Sequence, residues 1–130
     1  MYAFQFERPA ALADAVKMLT DDAEAKIVAG GQTLIPTLKQ RLAQPTVLVD
    51  LARLPGLKGI EKTAEGLAIG AMTRHAEVAF SPVVREVIPA LADLAGGIGD
   101  PAVRNRGTIG GSLANNDPTA GYPAAVLAPN

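Results

Sequence analysis

Cysteine and tryptophan are absent from these 130 residues, aromatics make up only 4%, and there is a single histidine, His75. Without cysteine the chain holds no disulfide, thiolate zinc site, thiol nucleophile or iron–sulfur cluster of its own. One histidine and scattered carboxylates give no metal-ligand spacing and no sequence-local catalytic triad. Charge of one sign is missing as well. Twelve Lys and Arg against 13 Asp and Glu leave a net −1, so no strong field is directed at nucleic acid or an anionic membrane. No apolar run approaches the ~20 residues of a membrane-spanning helix, and the opening segment Met1 to Pro9 does not read as a secretory signal. A cytoplasmic setting is expected. If the chain serves an enzyme, a cofactor carries the chemistry.

What is plentiful is glycine, and its placement is uneven. Seven of the 13 glycines (Gly96, Gly97, Gly99, Gly107, Gly110, Gly111 and Gly121) fall between positions 96 and 121, and Gly30-Gly31 form a pair. A loop of that length is uncommon in a compact domain and is usually functional. It carries Ile98, Val103, Ile109 and Leu113 among few charges, which favours an ordered loop.

The rest of the chain, 48% hydrophobic, is long enough to bury a core. Phe4 to Phe6 alternates like a short strand. Pro9 opens a helix with Leu12, Val16 and Leu19 on one stripe and Ala11, Ala15 and Met18 beside it. Lys26-Ile27-Val28-Ala29 reads as a buried strand stopped by Gly30-Gly31. A helix follows through Leu34, Leu38 and Leu42, with Pro36 tolerated in its first turn, and Val47 to Asp50 is a third strand. Strand, helix, strand, helix, strand predicts a small parallel βαβαβ unit over residues 1–55. From 56 the pattern changes. Leu57 to Ile60 and Leu67 to Ile69 form a hairpin. Thr73 caps a short helix that has His75 in its first turn, Ser81-Pro82 starts another, and Pro89 interrupts before Ala90 to Ala95. Tyr122 to Leu127 begins an apolar helix that needs more length to be stable, so a truncated protein is expected.

Two glycine loops carry the chemistry. Ala29-Gly30-Gly31-Gln32-Thr33 joins a strand to a helix, where backbone N–H groups lack partners and the helix dipole is positive. Glycine lets an anion reach that backbone, so a phosphate or pyrophosphate fits. A plain glycine turn with Thr33 as N-cap explains the same residues. Thr108-Ile109-Gly110-Gly111-Ser112 offers a second cradle, and two cradles suit an extended phosphate such as a dinucleotide. Neither is a Walker A loop, and Gly97-Ile98-Gly99-Asp100-Pro101-Ala102 lacks the third glycine of the Rossmann fingerprint. Arg104 and Arg106 can neutralise phosphate or pair internally, and Asp117-Pro118 reads as a turn.

Three blocks in order carry a resemblance: Ala29-Gly30-Gly31-Gln32-Thr33-Leu34-Ile35-Pro36, then Ile69-Gly70-Ala71-Met72-Thr73, then Arg104-Asn105-Arg106-Gly107-Thr108-Ile109-Gly110-Gly111-Ser112-Leu113-Ala114-Asn115. Together they resemble the FAD-binding (medium) subunit of molybdenum hydroxylases, as in xanthine dehydrogenase and aerobic carbon monoxide dehydrogenase. The resemblance implies an α+β flavin domain of the p-cresol methylhydroxylase type: a small parallel subdomain over 1–55 and, over 56–130, the start of an antiparallel one. It also implies FAD held by Ala29, Gly30, Gly31, Gln32 and Thr33 and by Thr108, Ile109, Gly110, Gly111 and Ser112, with Gly99 as a backbone contact. Partners would be an iron–sulfur subunit and a molybdopterin subunit, with NAD or another acceptor receiving the electrons. Where the family often has Asp-Pro-Ala-Ala-Asp, this chain has Asp117-Pro118-Thr119-Ala120-Gly121, so the last carboxylate is absent. The rival reading is a truncated fragment that binds partner subunits without retaining flavin. A module for some other phosphate ligand is a third.

Overall fold

Three short runs make the first sheet. β1 (Gln5–Glu7), β2 (Lys26–Val28) and β3 (Val47–Asp50) pair in parallel in the order β1-β3-β2, with Phe6 opposite Leu48 and Ile27 opposite Val49. The computed structural model describes residues 1–115, and the chain divides into two units, Met1–Pro55 and a second that starts at Gly56.

In the first unit, helix α1 (Leu12–Asp21) links β1 to β2 and α2 (Leu34–Lys39) links β2 to β3. The central strand β3 is the most deeply set, with Leu48 and Val49 buried, because β1 and β2 flank it on both edges. Leu48, Val28 and Leu38 form a buried cluster with Phe4, Leu34, Ile35 and Ala43 packed on it. Two expectations shift. The first helix begins at Leu12 rather than at Pro9, and of its stripe Leu12 and Val16 stay exposed while Ala15 is the residue buried. The second stops at Lys39, short of Leu42, because Arg41 turns left-handed at φ 57°. Arg41 N–H donates to Leu38 O and Leu42 N–H to Thr37 O, a Schellman closure with arginine where glycine is usual. The Arg41 guanidinium lies 5.3 Å over the Tyr2 ring.

The second unit begins with an antiparallel hairpin, β4 (Ile60–Thr63) and β5 (Gly66–Ile69), offset toward the C-terminus from the strand expected over Leu57 to Ile60. Helices α3 (His75–Phe80), α4 (Pro82–Val87) and α5 (Pro89–Gly96) follow, and their core is Val78, Ala79, Val84, Ala92 and Ala95. Ser81 caps α4 as its sequence predicts, its Oγ accepting from Val84 N–H at 3.3 Å with Pro82 in the first turn. Thr73 does not cap α3. The cap position is Arg74, whose backbone N–H donates to Glu77 Oε1 at 3.2 Å.

The glycine-rich stretch is not one long loop. It contains α6 (Pro101–Arg104) and α7 (Ile109–Asn115). Asp100 starts α6 by accepting from Val103 N–H at 2.9 Å, and Pro101 occupies the first turn. The expectations for Asp117-Pro118 and for Tyr122 to Leu127 lie outside the described residues.

Candidate functional site

The first glycine loop leaves the sheet at the carboxyl end of β2, the edge at which α/β folds bind ligands. Gly31 takes φ 76°, a left-handed conformation open to glycine, and a Cβ there would stand 2.9 Å from Ile35 Cγ1. At the head of α2, Ile35 N–H donates to Gly31 O at 3.1 Å, and Pro36 has no N–H to offer. The N–H groups of Gly31, Gln32, Thr33 and Leu34 have no acceptor among the described residues. Thr33 sits at the cap position with a helical backbone and makes no side-chain cap bond, so the plain-cap explanation of this turn is not met. Gln32 and Thr33 are exposed. Open amides, a missing Cβ and accessible polar side chains are what an anion needs.

The second loop is built in the opposite sense. The amides from Ile109 to Ser112 are bonded inside the chain. Ile109 N–H donates to Thr73 O at 3.0 Å, Gly110 N–H to Ala71 O at 2.9 Å and Ser112 N–H to Thr108 O at 3.1 Å. Thr108 Oγ1 takes Gly111 N–H at 3.1 Å, and Thr108 is only 4% exposed. Thr108 also bridges Arg74 in antiparallel fashion, and His75 N–H donates to Gly107 O at 3.0 Å. Residues 71–75 and 107–110 therefore form a backbone clasp within the second unit. The N–H groups of Ile109, Gly110, Gly111 and Ser112 each have an acceptor within the chain, so these four are not open donors in this structure as those of the first loop are. The glycines serve close approach. A Cβ at Gly110 would lie 2.7 Å from both Ala71 Cβ and Ala71 O, and one at Gly107 2.8 Å from His75 Cδ2 and Nε2.

Thr73 anchors the clasp from behind. It is fully buried, its Oγ1 accepts from Gly59 N–H at 3.0 Å, and it donates back to Gly59 O at 3.2 Å. Gly70 lies so close to the preceding turn that a Cβ would stand 2.4 Å from Leu57 O. These roles of Gly59, Gly70, Ala71 and Thr73 escape a sequence reading, although the block Ile69 to Thr73 marks the place.

Gly99, at φ 51°, is exposed and closes on Val103, 3.0 Å from where its Cβ would be. Arg104 Nη1 donates to Ile98 O and to Gly99 O, each at 3.1 Å. Of the two roles open to Arg104, this is internal pairing, with carbonyls as partners. Burial holds the His75 pKa below the usual histidine value. Among the described residues no cluster of three or more metal-ligating side chains occurs. None of their helices is long and apolar enough to cross a membrane.

An open glycine turn at the edge of a parallel sheet, in a chain with a second and internally braced glycine loop, fits the class of nucleotide-cofactor domains. The comparisons with known proteins narrow that class. Residues 2–130 match the family described as the FAD binding domain in molybdopterin dehydrogenase. The nicotine 6-hydroxylase medium subunit of Paenarthrobacter nicotinovorans is 41% identical over 128 residues, 98% of this chain and 45% of that protein. The carbon monoxide dehydrogenase medium chain of Hydrogenophaga pseudoflava is 42% identical over 126 residues, 96% of this chain and 44% of that one. Among solved structures, the carbon monoxide dehydrogenase of H. pseudoflava lacking the Mo-pyranopterin moiety aligns at TM-score 0.95 and 42% identity, over 98% of this chain and 45% of its own. Quinoline 2-oxidoreductase from Pseudomonas putida 86 aligns at TM-score 0.86 and 42% identity, over 89% and 41%.

The chain belongs to this family of FAD-binding domains, whose cofactor is FAD. The expected α+β architecture, with its small parallel and antiparallel sheets, is the one observed. The chain spans somewhat less than half the length of the curated relatives it matches.

Proposed function

We propose that this chain is the N-terminal portion of the FAD-binding subunit of a molybdenum hydroxylase. Met1–Pro55 serves as the parallel subdomain and residues 56–130 as the first part of the second. The observation that supports it most is the open turn at the carboxyl end of β2, its amides unpartnered among the described residues.

In this reading the backbone of Ala29, Gly30, Gly31, Gln32 and Thr33 holds the pyrophosphate, aided by the Gln32 and Thr33 side chains. Thr108, Ile109, Gly110, Gly111 and Ser112 give the cofactor a preset surface rather than a set of free donors, and Gly99 adds a backbone contact. When bound, FAD supplies redox chemistry between iron–sulfur clusters on a partner subunit, fed by a molybdopterin subunit that oxidises the substrate, and NAD or another acceptor. The chain's own residues bind and orient, and supply no acid or base. The assembly works in the cytoplasm, and the molybdopterin subunit sets its substrate.

The test is to purify and desalt the chain, read its visible flavin absorption, and repeat with FAD, FMN or riboflavin added. Flavin absorption retained after desalting, with FAD preferred over both analogues, is expected. FAD at 100 times its Kd should add about 2.7 kcal/mol of stability. Absence of both flavin absorption and a thermal shift would favour the other reading, a fragment that binds partner subunits without flavin.

A further inference from the structure

The carboxyl edge of the parallel sheet carries an ion pair as well as the glycine turn. Arg8 follows β1 and Asp50 ends β3, and Arg8 Nε lies 3.0 Å from Asp50 Oδ2. The pair shares a face of the sheet with the turn. Val28 is opposite Asp50 in register and Phe6 is opposite Leu48. Side chains two residues apart point the same way, so Val28, Leu48, Asp50 and Arg8 lie on one side. Helix α2 packs on that side through Leu34, Ile35 and Leu38. Gly31 comes down on it too, since a Cβ there would stand 3.8 Å from Val28 Cγ2. By closing on Asp50 the Arg8 side chain has crossed from β1 to the central strand. That leaves one strand spacing, about 5 Å, between the guanidinium and the line of β2.

The ion pair orients the arginine and leaves most of its donors open. Asp50 is engaged twice, by Arg8 and, through Oδ1, by Ala52 N–H at 3.1 Å, and its side chain is 13% exposed. The Arg8 side chain is 44% exposed, and its Nη groups have no acceptor among the described residues. A guanidinium is a planar fork whose N–H groups bind phosphate oxygens in pairs, and a carboxylate at Nε holds that fork in place. The glycine turn offers amides and no charge: residues 27–38 contain no Lys, Arg, Asp or Glu. Lys26 opens β2 and Lys39 closes α2, both toward the far edge of the sheet. Resting on the reading of Ala29 to Thr33 as the pyrophosphate site, we propose that Arg8 is a phosphate-binding residue of the FAD site. Held by Asp50, it turns its open Nη groups to the phosphates on the Gly30-Gly31 turn and supplies the positive charge that the turn lacks.

The test compares the wild-type chain with Arg8→Gln and Arg8→Lys. Dissociation constants are measured for FAD and for riboflavin, which has no phosphate, together with the inhibition constant of inorganic pyrophosphate against FAD. Arg8→Gln should raise the FAD Kd about tenfold, the contribution of a charge-assisted hydrogen bond. It should raise the pyrophosphate constant by the same factor and leave riboflavin unchanged. Arg8→Lys keeps a charge beside Asp50 without the fork and should fall between. If Arg8→Gln does not fold, Arg8→Lys and the wild-type guanidinium signal decide. The nitrogen–proton Nε cross-peak that Arg8→Lys removes belongs to Arg8, and it should shift with FAD and with inorganic pyrophosphate but not with riboflavin. An unchanged FAD Kd in a folded variant overturns the proposal. So does an equal loss for FAD and riboflavin, which marks the ion pair as structural only. A chain that holds no FAD counts against the proposed function, and inorganic pyrophosphate then decides the arginine by itself. A shift of the Arg8 cross-peak with pyrophosphate supports its role, and no shift overturns it.

Discussion

The two glycine loops look alike in sequence and differ in what their backbones do. Around Gly30-Gly31 the amides point to no acceptor among the described residues, and the side chains are exposed. Around Gly110-Gly111 the amides are bonded to Ala71, Thr73 and Thr108, and glycine is needed because other atoms of the same chain stand where a Cβ would be. One loop leaves its amides open and the other bonds them within the fold. Glycine content alone does not distinguish an anion cradle from a close-packed clasp; the distinction lies in where the N–H groups go.

That difference is testable by substitution, and the largest effects belong to the clasp. Gly70→Ala drives a methyl to 2.4 Å from a backbone carbonyl, and Gly110→Ala drives one to 2.7 Å from Ala71. Because backbone cannot give way as a flexible side chain does, each should cost about 3 kcal/mol in urea unfolding. Thr73→Val should cost about 2 kcal/mol, since it leaves the N–H of Gly59 without its acceptor and takes away one of the two donors to Gly59 O, the other being Gly70 N–H.

Acid acts on the same region with a definite sign. Unfolded histidine takes a proton near pH 6.5, and buried His75 does so only at lower pH. Between those two points the unfolded state binds more protons, so the His75 contribution is fully present above about pH 6.5 and is lost as pH falls through that window. The urea midpoint should drop from pH 7.5 to pH 5.5, and the drop should shrink in His75→Gln. At the first loop the smallest stability effect is expected. Gln32→Ala or Thr33→Val should change unfolding by less than about 0.5 kcal/mol while weakening FAD retention after desalting. A large loss of stability there, or none at Gly110→Ala, would erase the contrast.

The alternation of strands and helices in the first unit is legible in the sequence because each apolar run is short and bounded by Gly or Pro. Ser81-Pro82 is legible for the same local reason. Asp100-Pro101 carries the same cap-then-proline signal, and it is hidden by the low helix propensity of the glycines around it. What no local pattern reveals is pairing at a distance. Thr73 looks like a cap because it precedes a helix, yet its hydroxyl is taken by Gly59, fourteen residues back. The first turn of α7 forms in spite of two glycines because Ala71 and Thr73 supply acceptors from another segment. The stripe Leu12-Val16 marks α1 correctly as a helix and misjudges its buried side, since periodicity records apolarity and not what covers it.

The most direct test of the contrast is amide hydrogen exchange of the chain before and after adding FAD. The account predicts that Ile109, Gly110 and Gly111 are protected before FAD is present and change little, while Gly31, Gln32, Thr33 and Leu34 exchange freely and gain protection only with FAD. Ile109 to Gly111 found unprotected in the free chain and slowed only by FAD would contradict it.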